Sequence, residues 1–226
     1  MEQQFIKEQK KLFQKIDLNN HVDASQIEYI AGADLAYWKV NEKEYAVCCI
    51  VIIDYKSKKI VEEKYAVDEV KIPYIPGCLA FREIPLVLKT VDKLECVPDV
   101  YVFDGNGYLH PRHMGLATHA GILLDKPSIG IAKTYYKISD EEYIQPANEP
   151  FAYRDIIINN EIYGRVVRTH KDVKPVFVSI GNKINMDITM EIVKEMTTKE
   201  SHIPIPTRYA DIMTHKIRKE QRINRV

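Results

Sequence analysis

The order of apolar segments along the chain limits the possible folds more than any other feature of the sequence. Three extended segments come first, at Ile27 to Tyr37, Tyr45 to Tyr55 and Lys59 to Val67, and short polar turns separate them. Segments joined in this way predict an antiparallel meander. Two short apolar segments follow at Val100 to Phe103 and Ser128 to Ala132, each after a helical stretch. Such alternation is typical of parallel strands, so we expect an α/β fold with a mixed central sheet.

Helical spacing of apolar residues marks the stretches between and beyond these strands. Helices are predicted over five segments: Phe5 to Ile16, Leu79 to Leu94, His113 to Leu124, Asp187 to Thr197 and Thr207 to Arg218. A second hairpin is predicted over Glu161 to Thr169 and Pro175 to Ile180. Three antiparallel strands followed by helix, strand, helix and strand is the order of a ribonuclease H-like core. We therefore predict a single domain of this fold over residues 1–226, with helices flanking the sheet.

Composition narrows the classes of protein to consider. A chain of 226 residues, 46% hydrophobic and 28% charged, is typical of one soluble globular domain. No apolar run is long enough for a transmembrane helix, and no signal-peptide core follows the lysine-rich start, which predicts a cytoplasmic protein without a membrane partner. The four cysteines lack C-x-x-C spacing and are expected to be reduced rather than zinc-bound. Without a heptad repeat or an exposed apolar stripe, a monomer is expected.

The balance of charge argues against a dedicated nucleic-acid-binding domain. The chain has 32 basic and 32 acidic residues, whereas such domains often have a pI above about 9. Positive charge is nevertheless concentrated at Lys7 to Lys15 and again at His215 to Arg225. A solvated helix face would explain both clusters equally well, so the sequence leaves their role open.

Three acidic residues stand at positions that indicate a metal site. Asp34 lies within the apolar first strand, where an unpaired carboxylate is costly. Asp104 ends the strand Val100 to Phe103, and α/β sites usually lie at such ends. Taken alone, Asp104 could be a turn former, and Glu83 on the intervening helix could form a solvated pair with Arg82. Together, three carboxylates from one sheet could converge on a hard divalent cation such as Mg²⁺ and support phosphoryl transfer.

A stiff loop precedes the helix that carries Glu83. Prolines flank Tyr74 and Ile75 in the segment Pro73 to Gly77, and each proline fixes its own φ and restricts the residue before it. Such a loop could insert Tyr74 between stacked bases and offset roughly a few kcal/mol of unstacking. The same pattern would also serve as a tight turn before a helix that starts near Gly77.

In combination, these segments resemble the endonuclease V family, the inosine-directed endonucleases of bacteria, archaea and eukaryotes. The resemblance runs from about Ile27 to Arg218. It rests on five motifs in order: Ala31 to Asp34, Pro73 to Glu83, Pro98 to Gly107, His110 to Arg112, and Ile129 to Lys133. A ribonuclease H-like fold is implied by this resemblance, in agreement with the order of strands.

The resemblance also implies roles for individual residues. Metal-binding positions of the family match Asp34, Glu83, Asp104 and Asp211, the last at a position that is histidine in some members. His110 and Lys133 match polar positions near the scissile phosphate and complete the expected catalytic set. Tyr74 matches a wedge that fills the gap left by an extruded nucleotide. The expected substrate-binding set is Tyr74, Ile75, Pro76, Gly77, Cys78, Leu79, Ala80, Gly105, Asn106 and Gly107, of which Gly77 to Ala80 match the base pocket.

Two expectations concern loops that carry small residues. The glycines Gly105 and Gly107 are expected to let backbone approach a phosphate, because glycine has no side chain to obstruct it. The segment Ser179 to Lys183 resembles a family loop that usually has a different sequence. Its part in holding DNA is therefore left open.

The function implied by the family is metal-assisted hydrolysis of DNA. We expect a Mg²⁺-dependent endonuclease, with Mn²⁺ as a substitute, that recognises deoxyinosine and hydrolyses the second phosphodiester bond 3′ to the lesion, which initiates repair. Asp34 is the candidate bridge if two ions bind. One alternative is an inosine-specific endoribonuclease acting on RNA, which only contacts to the 2′-hydroxyl would distinguish. A non-catalytic inosine-binding protein is the other, and it would require loss of one of the three carboxylates.

Overall fold

One mixed sheet organises the chain in the computed structural model, which describes residues 1–139 and 142–223. The strands are β1 (Tyr29–Val40), β2 (Lys43–Asp54), β3 (Ile60–Glu69), β4 (Val100–Asp104), β5 (Ser128–Ala132), β6 (Ala152–Ile158), β7 (Glu161–Arg168) and β8 (Val176–Asn182). The helices are α1 (Glu2–Phe13), α2 (Leu79–Val91), α3 (Leu116–Leu124), α4 (Met186–Met196) and α5 (Ile205–Ile223). Among the described residues, the strands follow one another in the order β3-β2-β1-β4-β5-β8-β7-β6.

The pairing of these strands confirms the predicted α/β fold, a ribonuclease H-like mixed sheet with helices on both faces. Strands β1, β2 and β3 form the antiparallel meander. Strand β4 runs parallel to β1, and β5 runs parallel to β4. Strand β8 then pairs antiparallel with β5 and with β7, as the second predicted hairpin requires. The parallel centre of the sheet is the part that brings the acidic residues together.

Strand β6 is an element that the sequence did not predict. It lies at the edge of the sheet, where β7 is its one partner among the described strands. The run Ile156 to Ile158 is continuous, so the alternation typical of a half-buried strand is missing there. A usable signal was the pair Asn159 and Asn160, both with positive φ (51° and 64°), because asparagine at such positions marks a two-residue hairpin turn.

The helix bounds differ from the prediction by three to five residues at several ends. Helices α1 and α2 end three residues early, at Phe13 and Val91, and α3 begins three residues late, at Leu116. Helix α1 begins three residues before the predicted start at Phe5, and α5 continues past Arg218 to Ile223. Apolar spacing cannot mark such turns because their residues are polar on every side. The basic cluster predicted from His215 to Arg225 therefore lies on α5, although Arg225 falls outside the described residues.

Two apolar layers hold the helices on the sheet. On one face, Ile30, Val51 and Val102 pack in a cluster with residues of α4 and α5. On the other face, Ala31 and Phe103 pack with residues of α2 and α3. Alternation along β1 and β4 assigns even-numbered residues of these strands to the α5 face. Asp34 and Asp104 therefore share that face.

Gly32 determines how closely α5 approaches β1. A Cβ atom on Gly32 would lie 2.0 Å from the carbonyl carbon of Pro206 and 2.4 Å from the backbone nitrogen of Thr207. Only glycine leaves room for this contact between two backbones. The first turn of α5 is thereby fixed against the middle of β1, two residues from Asp34.

The described residues also bear on the expectations about membranes and cysteines. Within residues 1–139 and 142–223, no helix is both long and apolar enough to cross a bilayer. All four cysteines are free thiols, and three of them, Cys48, Cys49 and Cys78, are buried. None of them belongs to a group of metal-ligating side chains in the part of the chain that is described.

Candidate active site

Neighbouring parallel strands place two carboxylates side by side. Ala33 of β1 pairs with Phe103 of β4, so Asp34, within β1, and Asp104, the last residue of β4, lie at the same level on the α5 face. Asp211, on α5, lies over these two carboxylates on the same face of the sheet. Carboxylate oxygens of the three residues lie within 4.8 Å of one another. The structure thus brings together three of the four acidic residues predicted as metal ligands.

Negative charge is concentrated and poorly solvated at this point. Asp34 is only 8% exposed, and burial, followed by the charges of Asp104 and Asp211, raises the pKa of its carboxyl to about 6. The ammonium of Lys133 lies 2.6 Å from Oδ2 of Asp104 and 3.4 Å from Oδ1 of Asp211. Lys133 and Arg208, which contacts Asp211, supply two positive charges against three carboxylates. The oxygen-only donor set therefore fits a hard divalent metal ion, which would neutralise the remaining charge.

A threonine that the sequence did not single out orients the buried carboxylate. The Oγ1 hydroxyl of Thr214 donates to Oδ2 of Asp34 at 2.7 Å. Thr214 lies three residues after Asp211 on α5, so one helix supplies both the third carboxylate and this donor. Arg208, three residues before Asp211, contacts Oδ2 of Asp211 at 3.0 Å. Helical spacing around Asp211 would have identified both residues once α5 was known to pack on β1.

Glu83 borders the three aspartates instead of joining them. It comes from α2 on the opposite face of the sheet, and it is not among the carboxylates that lie within 4.8 Å of one another. The hydroxyl of Tyr37 donates to its Oε1 at 2.7 Å. Burial raises the pKa of Glu83 to about 7, the charges of Asp34 and Asp104 act in the same direction, and the Tyr37 hydrogen bond opposes them.

Arg82 does not pair with Glu83, although the two are adjacent in sequence. Its guanidinium contacts Oε1 of Glu44 at 2.8 Å and donates to the carbonyl oxygen of Ile72 at 2.9 Å. It also lies over the ring of Tyr37, 4.5 Å from the ring centroid. Arg82 therefore holds the tyrosine that in turn holds Glu83.

Replacing Tyr37 by phenylalanine is expected to weaken metal binding without unfolding the protein. The change removes a hydrogen bond to a buried carboxylate, worth about 1.5 to 3 kcal/mol when the acceptor is charged. Glu83 would then hold its proton to higher pH. We expect the divalent metal concentration for half-maximal binding at pH 7.5 to rise about 10-fold, and Tm to fall by about 3 to 10 °C while the protein stays folded at 25 °C. An unchanged metal requirement would contradict the role given to Tyr37, and Tyr45→Phe is the control.

A pocket opens beside the loop that carries Tyr74. Tyr74 itself is 63% exposed. Five of the ten residues predicted to bind substrate line this pocket: Tyr74, Gly77, Leu79, Ala80 and Asn106. The other five, Ile75, Pro76, Cys78, Gly105 and Gly107, do not line it. The remaining lining residues are His110, Met114, Gly115 and Leu116, which lie between β4 and the start of α3, and Tyr136, which follows β5.

Three donors converge on the carbonyl oxygen of Gly77 and fix this loop. They are Nε2 of Gln9 at 2.9 Å, Nη2 of Arg112 at 2.7 Å and Nε2 of His110 at 3.0 Å. Gly77 has φ of +73°, which favours glycine. Gln9 belongs to α1 and is 68 residues away along the chain, so sequence patterns gave no indication that the first helix supports the pocket.

His110 lies under the loop, and its contacts do not involve the carboxylates. Its Nδ1 accepts from the backbone N–H groups of Arg112 and Met114, at 3.2 and 3.3 Å. Its Nε2 is left to donate to Gly77. Burial, and then the charge of Arg112, lowers the pKa of His110 to about 4. Both ring nitrogens of a neutral imidazole are thus occupied, which gives no support to the expected role beside the scissile phosphate and indicates that His110 holds the loop.

The glycine-rich loop after β4 is used for packing within the protein. The N–H of Gly107 donates to Oγ of Ser179 at 2.8 Å. A Cβ atom on Gly107 would lie 2.2 Å from the carbonyl oxygen of Ile180. The backbone of β8 therefore occupies the space beside Gly107 where a phosphate was expected. Most of the segment Ser179 to Lys183, whose role was left open, is part of that strand.

Comparisons with known proteins identify the family to which the chain is similar. The family model described as endonuclease V matches residues 10–212. An endonuclease V of Bacillus thuringiensis subsp. konkukian is 56% identical over 218 residues, which are 96% of this chain and 93% of the relative. The crystal structure of endonuclease V from Bacillus subtilis superposes with a TM-score of 0.96 at 46% identity, over 99% of this chain and 94% of that chain.

A more distant structure contains nucleic acid. It is the endonuclease V of Ciona intestinalis in complex with a 24mer DNA containing an inosine followed by a ribo-adenosine. The TM-score is 0.87 at 29% identity, and the match covers 97% of this chain and 99% of that chain. The fold of the present chain is thus shared with endonuclease V structures from Bacillus subtilis and Ciona intestinalis.

Proposed function

The chain belongs to the endonuclease V family, and we propose that it cuts DNA at deoxyinosine, the product of adenine deamination, as the first step of repair. The proposed cut is at the second phosphodiester bond 3′ to the lesion. The observation that carries this proposal is the convergence of Asp34, Asp104 and Asp211 beside Lys133. A non-catalytic binding protein would not need this costly group of buried and half-buried carboxylates.

Mg²⁺ is the proposed cofactor, with Mn²⁺ as a substitute. Asp34, Asp104 and Asp211 would hold it, and Glu83 would border the site. Mg²⁺ prefers one or two carboxylates together with water and substrate phosphate, which suits an open site of this kind. When bound, the ion supplies electrophilic activation of water and stabilisation of the leaving oxygen.

The residues of the chain itself would orient the reacting groups. Thr214 holds the carboxylate of Asp34 in one rotamer through its 2.7 Å hydrogen bond. The side chain of Lys133 is 41% exposed and its ammonium contacts Asp104. The ammonium can therefore also contact a phosphate oxygen of a substrate bound beside Asp104. Positioning of this kind, rather than covalent chemistry, is what a phosphodiester hydrolase requires of its side chains.

The pocket beside Tyr74 is the proposed site for the extruded base. Leu79 and Ala80 line it and are also the first two residues of α2. The first N–H groups of a helix have no acceptor within the helix, so they are available to a ligand. Hypoxanthine presents an O6 acceptor where adenine presents an amino donor. A donor aimed at that position favours the deaminated base, because adenine would leave two donors unpaired.

Replacing Tyr74 by alanine is expected to reduce cleavage of duplex substrate about 10-fold to 100-fold. Stacking of an aromatic ring on a base is worth about 1 to 3 kcal/mol, and an extruded base leaves a gap that this ring would fill. The side chain is exposed, so Tm should change by less than about 2 °C. The matched control is Tyr74→Phe, which keeps the ring and should cleave as the wild type does. Equal rates for alanine and phenylalanine would contradict the wedge.

RNA is the second candidate substrate, and one observation favours it. The Ciona intestinalis relative is in complex with a DNA in which a ribo-adenosine follows the inosine. A contact to a 2′-hydroxyl at that nucleotide would let an enzyme distinguish RNA from DNA. The relatives with higher identity to this chain are bacterial, and we place DNA first.

The test is cleavage of matched DNA and RNA oligonucleotides that carry one hypoxanthine, beside unmodified strands, with and without Mg²⁺. Asp104→Asn protein serves as the inactive control. We expect one Mg²⁺-dependent cut, at the second phosphodiester bond 3′ to the lesion in DNA, which Asp104→Asn abolishes. Stronger cleavage of RNA would transfer the role to RNA metabolism. Absence of a lesion-dependent cut in both would overturn the proposed function.

A further inference from the structure

One flank of α5 carries a series of basic side chains that starts at the acidic site. An α-helix has about 3.6 residues per turn, so side chains three and four residues apart lie on the same flank. We call these residues the α5 basic stripe: Arg208, His215, Arg218, Lys219 and Arg222. Four of them are exposed, and Arg218 is half-buried. Asp211, the candidate metal ligand, lies within the stripe, one turn from Arg208.

The positive charge of the distal part of the stripe is not neutralised by the protein. Arg208 is paired with Asp211, but within residues 1–139 and 142–223 no carboxylate forms an ion pair with Arg218, Lys219 or Arg222. Glu220 is adjacent to Lys219 in sequence, yet the helical rotation of about 100° per residue directs it to the opposite flank. Unpaired arginines therefore lie beside a cluster of acidic residues, so positive and negative charges occupy separate parts of this surface. The net charge of the chain, which is zero, does not reveal this separation.

The stripe is rigid and has the dimensions of a short stretch of nucleic-acid backbone. The buried residues Ala210, Thr214 and Ile217 hold the other side of α5 on the sheet. From Asp211 to Arg222 the helix rises by about 16 Å, at about 1.5 Å per residue. Phosphates on one strand of a duplex follow one another about every 3.4 Å along the axis, so this length spans about five of them.

We propose that the α5 basic stripe binds the phosphodiester backbone of the cleaved strand on one side of the scissile phosphate. This rests on the proposed function, because it takes the strand to pass through the acidic site where the stripe begins. Charge complementarity and the continuity of the stripe with Asp211 support this occupant. Contacts of this kind fix the register of a strand and carry no sequence information.

Binding of fluorescent strands with one hypoxanthine, measured by anisotropy in EDTA between 50 and 200 mM salt, tests the proposal. The stripe variant is Arg218→Gln/Lys219→Gln/Arg222→Gln. The control variant, Lys56→Gln/Lys59→Gln/Lys194→Gln, also removes three positive charges, all of them on exposed residues. Lys56 and Lys59 follow β2, which ends where β1 begins, at the opposite end of the sheet from Asp104. Two substrates are compared, one extended by about ten nucleotides only 5′ of the lesion and one only 3′.

The stripe variant is expected to bind one of the two extended strands about 10-fold more weakly at the lowest salt. The slope of log Kd against log salt should fall by about 2, since each phosphate contact on a single strand contributes about 0.7. The control variant should bind within about 2-fold of the wild type. Equal slopes for the two variants, or an equal loss on both extensions, would overturn the proposal. Thermal melts within about 2 °C of the wild type exclude misfolding as the cause.

Cleavage of the same strands by the wild type separates this proposal from the proposed function. If the wild type cuts at the lesion and the stripe variant binds as tightly as the wild type, the proposed role of the stripe is overturned and the proposed function stands. If the wild type does not cut, but the stripe variant still shows a smaller slope of log Kd against log salt on one extended strand, the stripe is supported as a nucleic-acid contact. The proposed function is then overturned.

Discussion

Replacing Asp34 by asparagine is expected to abolish cleavage and, at the same time, to make the metal-free protein more stable. The carboxylate is buried against two further aspartates, and its pKa is raised from the usual 3.8 to about 6. The folded protein therefore binds this proton more tightly than the unfolded chain does. The protonated form of Asp34 contributes its full stabilisation to the free energy of unfolding below about pH 4. This contribution is lost as the pH rises through about 6, so at pH 8 the protein carries the full free-energy cost of the buried, charged carboxylate.

Asparagine at position 34 removes the free-energy cost of the buried negative charge. Its side-chain carbonyl oxygen can still accept the hydrogen bond from Thr214. A shift of about 2 pKa units corresponds to about 3 kcal/mol, and a gain of about 2 kcal/mol is a cautious expectation. For a chain of this size, Tm in EDTA should rise by about 4 to 8 °C at pH 8. The gain should shrink towards zero at pH 4, where both proteins are neutral at this position, which provides an internal control.

The same substitution removes a ligand from the metal site. Cleavage of a hypoxanthine-containing strand is expected to fall by at least about 1,000-fold at any Mg²⁺ concentration. Calorimetry in EDTA at pH 4 and pH 8 and a single-turnover cleavage assay measure the two effects. An inactive variant with lower Tm at pH 8 would indicate that Asp34 stabilises the fold, and would contradict the electrostatic account of the site.

Replacing Gly32 by alanine is expected to damage both the fold and the site through a single methyl group. The added Cβ would lie 2.0 Å from the carbonyl carbon and 2.2 Å from the carbonyl oxygen of Pro206. Both are backbone atoms, so no side-chain rotation relieves the clash and α5 must move. Overpacking of this kind costs about 1 to 3 kcal/mol, or about 3 to 10 °C in Tm.

Movement of α5 separates Asp211 and Thr214 from Asp34. A displacement of about 1 Å in such a site costs about 100-fold in rate. Ala33→Gly is the control, since it changes one methyl group on the opposite face of β1. That variant should lose stability but keep most of its activity. Thermal melts and cleavage rates of both variants measure the difference, and an active Gly32→Ala protein would show that α5 need not sit this close to β1.

The order of elements was predictable because each strand and helix carries its own local pattern. Asp34 and Asp104 could be expected to lie close together from sequence, because both belong to strands of one sheet and Asp104 ends a strand of its parallel part. Asp211 and Lys133 were identified only through the resemblance to a family. Their partners lie across the chain, as Lys133 and Asp211 are 78 residues apart, and no local pattern reports such a contact.

The supporting residues were not predictable for the same reason. Thr214 reaches Asp34 across 180 residues, Gln9 reaches Arg112 across 103, and Tyr37 reaches Glu83 across 46. Each is an ordinary residue in its own segment, and each acquires its role from a contact with an element far away in the sequence. His110 shows the converse, because a residue with suggestive chemistry is occupied by the backbone around it.

The hydrogen bond from Gln9 to Gly77 has an evolutionary consequence. Gln9 of α1 supports the loop that lines the pocket, whereas Asp211 and Thr214 of α5 form part of the acidic site. Under the proposed function, substitutions in α1 would change which damaged base is accepted, and substitutions in α5 would change the rate of strand scission. Selection on base discrimination and selection on turnover would then act on two different helices.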